Sequence, residues 1–321
     1  MRKTALVLTC LALLMASGAA PATAGTRGKA PYSVPRSKMD AALDCAARKG
    51  ERFVFVKGAA ALTGGGKAQP VLLVHGTGVN REQNWEWNYW PALQAEGFEV
   101  CWVQLPSGSV GDSQITSEYV ARAIEVMHEG SGEKIDVLGH SQGGLQPRWA
   151  IKWFPSGDKV DDYVSLATPN HGTYMAGYRP LTAGCFESCW QMQIDSNFIT
   201  ALNDGDETPG KTSYTNIYSA TDELVQPVGT QALDGASNIL IQDLCPGRPV
   251  DHLGIAGDYV TWELVLNAFV GNGPADPDAL SDTACTQALL PGATYPNDMG
   301  PDYTQEGEIT SEEPPLMSYV R

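Results

Sequence analysis

Short apolar runs alternate with amphipathic stretches from about residue 52 to residue 270. Runs at 53–56, 71–74, 100–103, 135–138, 163–167, 216–219 and 239–241 have strand length and are mostly Val, Ile, Leu and aromatic residues, which predicts buried strands. Between two of them, 113–129 sets Ile115, Tyr119, Val120, Ala123, Ile124 and Met127 at near-helical spacing, with Ser113 as the cap and Gly130 at the end. Residues 145–153 and 259–269 read as further helices. Parallel neighbours need crossover connections, so this alternation predicts an α/β fold: a mostly parallel sheet with helices on both faces. Reactive groups then belong at the carboxyl ends of strands. Between about 169 and 212 the alternation breaks into loop and short helix, which predicts a small cap or lid insertion over one end of the sheet. The tail from Gly271, rich in Pro, Gly and acids, has no long periodic element and reads as a surface wrap.

Arg2 and Lys3, an apolar run from Ala5 to Met15 and small residues ending Ala22, Thr23, Ala24 have the order of a secretory signal. Cleavage after about Ala24 leaves a single domain over 25–321 in an extracellular location. Neither that run nor any later one reaches the length of a membrane span. Cys10 sits too early for a lipoprotein cysteine and leaves with the leader. Six cysteines remain (Cys45, Cys101, Cys185, Cys189, Cys245 and Cys285), an even number that in an oxidising compartment points to disulfides. No paired C-x-x-C and no H-E-x-x-H is present, so no metal is called for. The net charge of −16, with no basic stretch, repels phosphate backbones and excludes nucleic acid as a partner.

The chemistry begins after the 135–138 run. Gly139, His140, Ser141, Gln142, Gly143 is G-x-S-x-G between a strand and a helix, the context in which small residues allow a tight turn that pushes a serine hydroxyl out. A serine needs a base and an orienting acid, in the chain order Ser, acid, His for this motif. Only His171 and His252 lie downstream; His171 comes too early for an acid-bearing strand before it, which leaves His252. Of ten aspartates between Ser141 and His252, Asp222 follows a strand at the right interval, and Asp251 is too close in sequence to reach the far ring nitrogen. Two donors for a developing oxyanion come from the residue after the nucleophile, Gln142, and from Thr77 in the loop His75, Gly76, Thr77, Gly78. Trp85, Trp87, Tyr89 and Trp90 follow that loop, open to two readings: core packing or the rim of a substrate site.

Together, V-H-G-T-G, C-W-V at 101–103, S-Q-G-G at 141–144, I-Y-S-A-T-D-E-L-V-Q-P at 217–227 and V-D-H at 250–252 resemble the lipase B family of Candida antarctica and its bacterial, actinomycete-type relatives. The resemblance runs from about Cys45 to Asp298 and implies an α/β-hydrolase fold and a secreted serine lipase or carboxylesterase. It implies the triad Ser141, Asp222 and His252 with Thr77 and Gln142 as oxyanion hole, in agreement with the choice made on order and context. It also pairs Cys45 with Cys101 and Cys245 with Cys285, leaving Cys185 to pair locally with Cys189. Asn170, Thr173 and Gln191 align with polar positions of the acyl pocket. The yeast enzyme has T-W where this chain has Gly139 and His140, which predicts a wider, wetter pocket for the alcohol part and makes His140 a substrate-binding residue. The chain also lacks the late alanine-rich helix and a third late disulfide of that enzyme.

The sequence-based expectation is therefore hydrolysis of acylglycerol esters, with a lipid–water interface as the meeting place, no cofactor and no obligate protein partner. A soluble short-chain esterase or a polyester hydrolase uses the same residues with different pocket walls. A catalytically silent hydrolase fold used for binding is a further alternative, opposed by the completeness of the set.

Overall fold

A computed structural model describes residues 30–46, 69–178, 184–271, 273–295 and 307–320. The expected leader and the expected strand at 53–56 lie outside these residues. The strands are β1 (Leu43–Cys45), β2 (Val71–Val74), β3 (Val100–Val103), β4 (Ile135–His140), β5 (Val160–Leu166), β6 (Cys185–Phe186), β7 (Ser213–Tyr218), β8 (Ser237–Leu240) and β9 (Ile309–Thr310). Seven of them form one sheet in the order β1-β3-β2-β4-β5-β7-β8. All neighbours run parallel except β1, which pairs antiparallel with β3 at the edge. Both faces are covered, so strand residues alternate between two cores: Leu72, Val74 and Val137 face one, Val71, Leu73 and Leu138 the other. This is the mostly parallel α/β architecture that the apolar alternation predicts.

The helix after β3 spans Ser113–Ser131, two residues longer than expected, and its ends correct the expected caps. Asp112, not Ser113, accepts the Gln114 N–H, and Gly132, not Gly130, ends it in the left-handed region at φ 74°. The helix Leu145–Trp153 falls where its periodicity places it, and the last long helix spans Tyr259–Val270. The aromatic cluster divides. Trp85 and Tyr89 are buried in the core, Trp90 stacks on Trp102 at 3.7 Å, and Trp87 lines a cavity.

The segment 169–212 corrects the expectation of a single insertion over the sheet. Its helix Asn197–Asn203 belongs to the core, with Phe198 stacked on Trp149 at 4.5 Å, and forms part of the crossover that β5 and β7 require as parallel neighbours. Among the described residues, Tyr174–Tyr178 and the stretch Cys185–Gln191 remain over the carboxyl end of the sheet. Periodicity hid this because a helix of seven residues is too short to declare a face. The tail returns across the molecule: β9 pairs with β6, and Tyr319 accepts a hydrogen bond from Trp149 Nε1 at 3.0 Å. Three disulfides, Cys45–Cys101, Cys185–Cys189 and Cys245–Cys285, have the pairings implied by the resemblance and its remainder.

Buried polar groups anchor the crossover. Arg148, 2% exposed, donates to Asn170 Oδ1 at 3.3 Å, Asn203 Oδ1 at 2.8 Å and the Glu207 carbonyl at 3.4 Å. His171 Nε2 meets Glu207 Oε1 at 3.0 Å, and that hydrogen bond raises the His171 pKa. Arg148→Met leaves the two asparagine oxygens unpaired and is expected to cost about 3 kcal/mol, read from urea unfolding. For His171, a raised folded pKa means that stabilisation is full below about pH 6.5, its ordinary value, and is lost as pH rises through the raised value. The stability gap between the wild type and His171→Asn is therefore expected to be larger at pH 5.5 than at pH 8.5 in paired urea titrations.

Candidate active site

β4 ends at His140 and the chain turns at once into a short 3₁₀ segment, Ser141–Gly144, before the helix Leu145–Trp153. Ser141 takes φ 57°, a left-handed conformation that costs a non-glycine residue about 1–3 kcal/mol. Close packing enforces it. A Cβ at Gly139 would lie 2.7 Å from Gly144 Cα, one at Gly143 2.6 Å from the His75 carbonyl oxygen, and one at Gly144 2.8 Å from Thr168 Cγ2. The serine hydroxyl thus stands clear at the carboxyl end of a central strand, in the position that the motif predicts.

Two loops bring partners to it. Asp222 sits after β7 and His252 in the loop following the helix Ile241–Leu244. The motif I-Y-S-A-T-D joins these loops: Ser219 Oγ and Thr221 Oγ1 both donate to the Val250 carbonyl, at 2.6 and 2.8 Å. His252 Nε2 lies 2.9 Å from Ser141 Oγ, and His252 Nδ1 lies 2.9 Å from Asp222 Oδ2. Burial pushes the Asp222 pKa up, but the His252 ring and the N–H groups of Val225 and Leu224 outweigh it and hold the carboxyl below its usual range. Asp251 instead accepts the Gly254 N–H at 2.6 Å, and His171 pairs with Glu207.

The loop 75–78 lies against the turn, and a Cβ on Gly76 would come 3.2 Å from Ser141 Cβ. Thr77 Oγ1 donates to Gln142 Oε1, and the same side chain donates through Nε2 to the Ser109 carbonyl at 3.0 Å and to Ser113 Oγ at 3.2 Å. Thr77 and Gln142 are therefore tied to each other beside Ser141. Two residues beneath the loop escaped the sequence reading. His75 Nε2 accepts the Leu105 N–H at 3.0 Å, which leaves Nδ1 to donate to the Gly76 carbonyl at 2.9 Å, and burial pushes its pKa down to about 4. Asn84 Oδ1 accepts the Gly76 N–H at 3.0 Å. His75 carried a signal, since it belongs to V-H-G-T-G; Asn84 carried none.

A cavity of about 910 Å³ opens over Ser141 and His252. Its walls include Val110, Phe186, Met192, Val225 and Ile309, and at its mouth Met175, Leu224 and Ile309 are 41%, 40% and 60% exposed. Of the expected pocket residues, Thr173 lines it, with its hydroxyl committed to the Leu224 carbonyl at 2.7 Å. Asn170 and Gln191 do not reach it. Asn170 is spent on Arg148, Asn216 and the Gln231 carbonyl, and Gln191 on the Ser113 N–H and Asp112. Both polar ends turn inward to satisfy buried backbone and side-chain groups. His140 borders the cavity, but it is 4% exposed and both ring nitrogens face protein oxygens, so it adds no wetness to the pocket.

At the opposite ends of β4 and β5, carboxylate oxygens of Asp136, Asp161 and Asp162 lie within 4.8 Å of one another, the one grouping among the described residues with metal-ligand spacing. Lys134 Nζ already sits 2.9 Å from Asp161 there, and the group is remote from Ser141.

The chain is similar to known proteins over most of its length. Residues 68–244 match the family described as lipase, class 2. The chain is 34% identical over 291 residues to Lipase B of Pseudozyma antarctica, covering 87% of this chain and 78% of that protein. The crystal structure of Aspergillus fumigatus lipase B superposes with a TM-score of 0.78 at 29% identity, over 92% of this chain and 74% of that one. A Bacillus licheniformis lipase in its mature form shares the fold at 15% identity, with a TM-score of 0.54 over 71% of this chain and 98% of that one. The chain belongs to the class 2 lipase family, and it is a lipase or carboxylic ester hydrolase on an α/β-hydrolase fold.

Proposed function

We propose that the protein is an exported serine hydrolase that cleaves acylglycerol esters through an acyl-enzyme on Ser141. The observation that carries this reading is the unbroken relay from Asp222 through His252 to Ser141, with both links 2.9 Å long, at the floor of an apolar-walled cavity. His252 Nε2 takes the hydroxyl proton as Ser141 Oγ bonds to the ester carbonyl carbon, and the imidazolium then gives that proton to the departing alkoxide. Water repeats the sequence on the acyl-enzyme and releases the acid. The ionised Asp222 holds the ring tautomer and offsets the charge on the imidazolium. The backbone N–H groups of Thr77 and Gln142 receive the oxyanion, and the Gln142 side chain fixes the Thr77 loop that carries one of them. Such a complete assembly argues against a silent binding fold.

The exposed apolar side chains at the cavity mouth favour long acyl chains met at a lipid–water interface over small soluble esters. Three disulfides, and no helix among the described residues long and apolar enough to cross a membrane, support export behind the leader at residues 1–24.

Initial rates on esters from two-carbon to long-chain acyl groups, below and above each solubility limit, are expected to rise with chain length and at the interface. Rates confined to short soluble esters would leave a short-chain esterase, and release of soluble acids from polyester film a polyester hydrolase. Ser141→Ala is expected to lose on the order of 10⁴-fold or more in kcat/KM, and Asp222→Asn about 10- to 100-fold less than that, because the orienting acid is the less critical member. Equal losses in the two variants would contradict the assigned roles.

A further inference from the structure

The proposed base is carried by a loop, and catalysis asks of that loop a placement within about 0.5 Å. The Asp222 carboxylate holds its ring, at Nδ1. Its main chain is held from both sides. The His252 N–H donates to Glu223 Oε2 at 3.1 Å, from an exposed side chain. The His252 carbonyl lies 2.9 Å from His140 Nε2, in the protein interior. His140 is the last residue of β4, directly before Ser141, so this contact links the strand that presents the nucleophile to the loop that presents the base. On its other side, His140 Nδ1 faces Asn84 Oδ1 at 3.2 Å, and that oxygen also accepts the Gly76 N–H of the Thr77 loop. Burial, and after it the His252 ring, push the His140 pKa down to about 3, so the ring carries a single proton. Both partners are acceptor oxygens and the ring can donate to only one of them; the shorter contact, to the His252 carbonyl, takes the proton and leaves Nδ1 facing Asn84 Oδ1 without one.

We propose that His140 is a positioning residue for the base: its Nε2–H holds the His252 carbonyl and keeps the imidazole in register between Asp222 and Ser141. The role differs from that of a pocket wall, because the group acts through His252 and not on the substrate. It rests on the reading of Ser141, His252 and Asp222 as the triad, and it predicts an effect on the chemical step with little effect on substrate binding.

Three variants separate the hydrogen bond from packing. His140→Phe keeps a ring against Trp85 and His252 but has no N–H; His140→Gln presents an amide donor near the Nε2 position; His140→Asn presents one only near Nδ1, out of reach of the carbonyl. With p-nitrophenyl butyrate as substrate, His140→Phe and His140→Asn are expected to lower kcat about 10-fold or more with KM changed less than about 2-fold. His140→Gln is expected to recover to within about 3-fold of wild type. The rate at which a fluorophosphonate labels Ser141 is expected to follow the same order. Wild-type kcat in the Phe variant, or equal rates in the Gln and Asn variants, would overturn the assignment. If the Phe variant does not fold, the Gln and Asn pair, both polar, decides alone. Ser141→Ala is assayed alongside: an active Ser141→Ala means that the triad reading fails, whereas an inactive Ser141→Ala with an unimpaired His140→Asn means that only the positioning role does.

Discussion

The site depends on one steric constraint: the chain must leave β4 and enter the next helix within four residues, with backbone and Thr168 packed where side chains would otherwise lie. Gly139, Gly143 and Gly144 have no room for a Cβ, and that crowding holds Ser141 in a left-handed conformation that serine would not choose. The strain, about 1–3 kcal/mol, is small beside the burial of the two cores that flank the sheet. A sheet covered on both faces can hold such a turn rigid, where a surface loop would relax it. The hydroxyl is therefore exposed by packing, before any hydrogen bond acts on it.

Around that turn, burial and hydrogen bonding push titratable groups toward different charge states. His75 and His140 are buried without a carboxylate partner and are held neutral at ordinary pH, with pKa values near 4 and 3. Asp222 is buried as well, yet it remains the charged member because two backbone N–H groups and a histidine ring face it. The Asp222 carboxylate faces the His252 ring while the neighbouring imidazoles stay neutral, which is the arrangement that the proposed relay needs.

The cavity walls come from parts of the chain far apart in sequence. Val110 follows β3, Phe186 and Met192 lie in the crossover, Val225 follows Asp222, and Ile309 is in the tail. The Cys185–Cys189 disulfide and the β6–β9 pairing hold the last of these against the crossover, so pocket shape depends on the tail. The contacts that join Asp222, His252 and Ser141 depend on β4 and on the two loops that Ser219 and Thr221 join. Different walls can thus be placed over the same three residues, which is why motifs that identify an ester hydrolase say little about its acyl preference.

The succession of most strands and helices, the turn at Ser141 and the identity of its partners were legible in the sequence, because each is a local pattern: a period, a glycine spacing, a chain order of Ser, Asp and His. The 217–227 block was equally legible, and the contacts of Ser219 and Thr221 give its physical reason. The rest came from contacts between distant parts of the chain. The tertiary structure showed that Asn197–Asn203 is a core crossover and not part of a cap, that Asn170 and Gln191 face the interior, and that Asp112 caps the helix after β3. It also brought Asn84 and His140 to the backs of the Thr77 and His252 loops. For Asn170, Gln191 and His140 the deciding quantity is where a polar group finds its partner, and those partners lie 22 to 112 residues away. A one-dimensional pattern records which side chains can hydrogen-bond, whereas the fold determines which of them must.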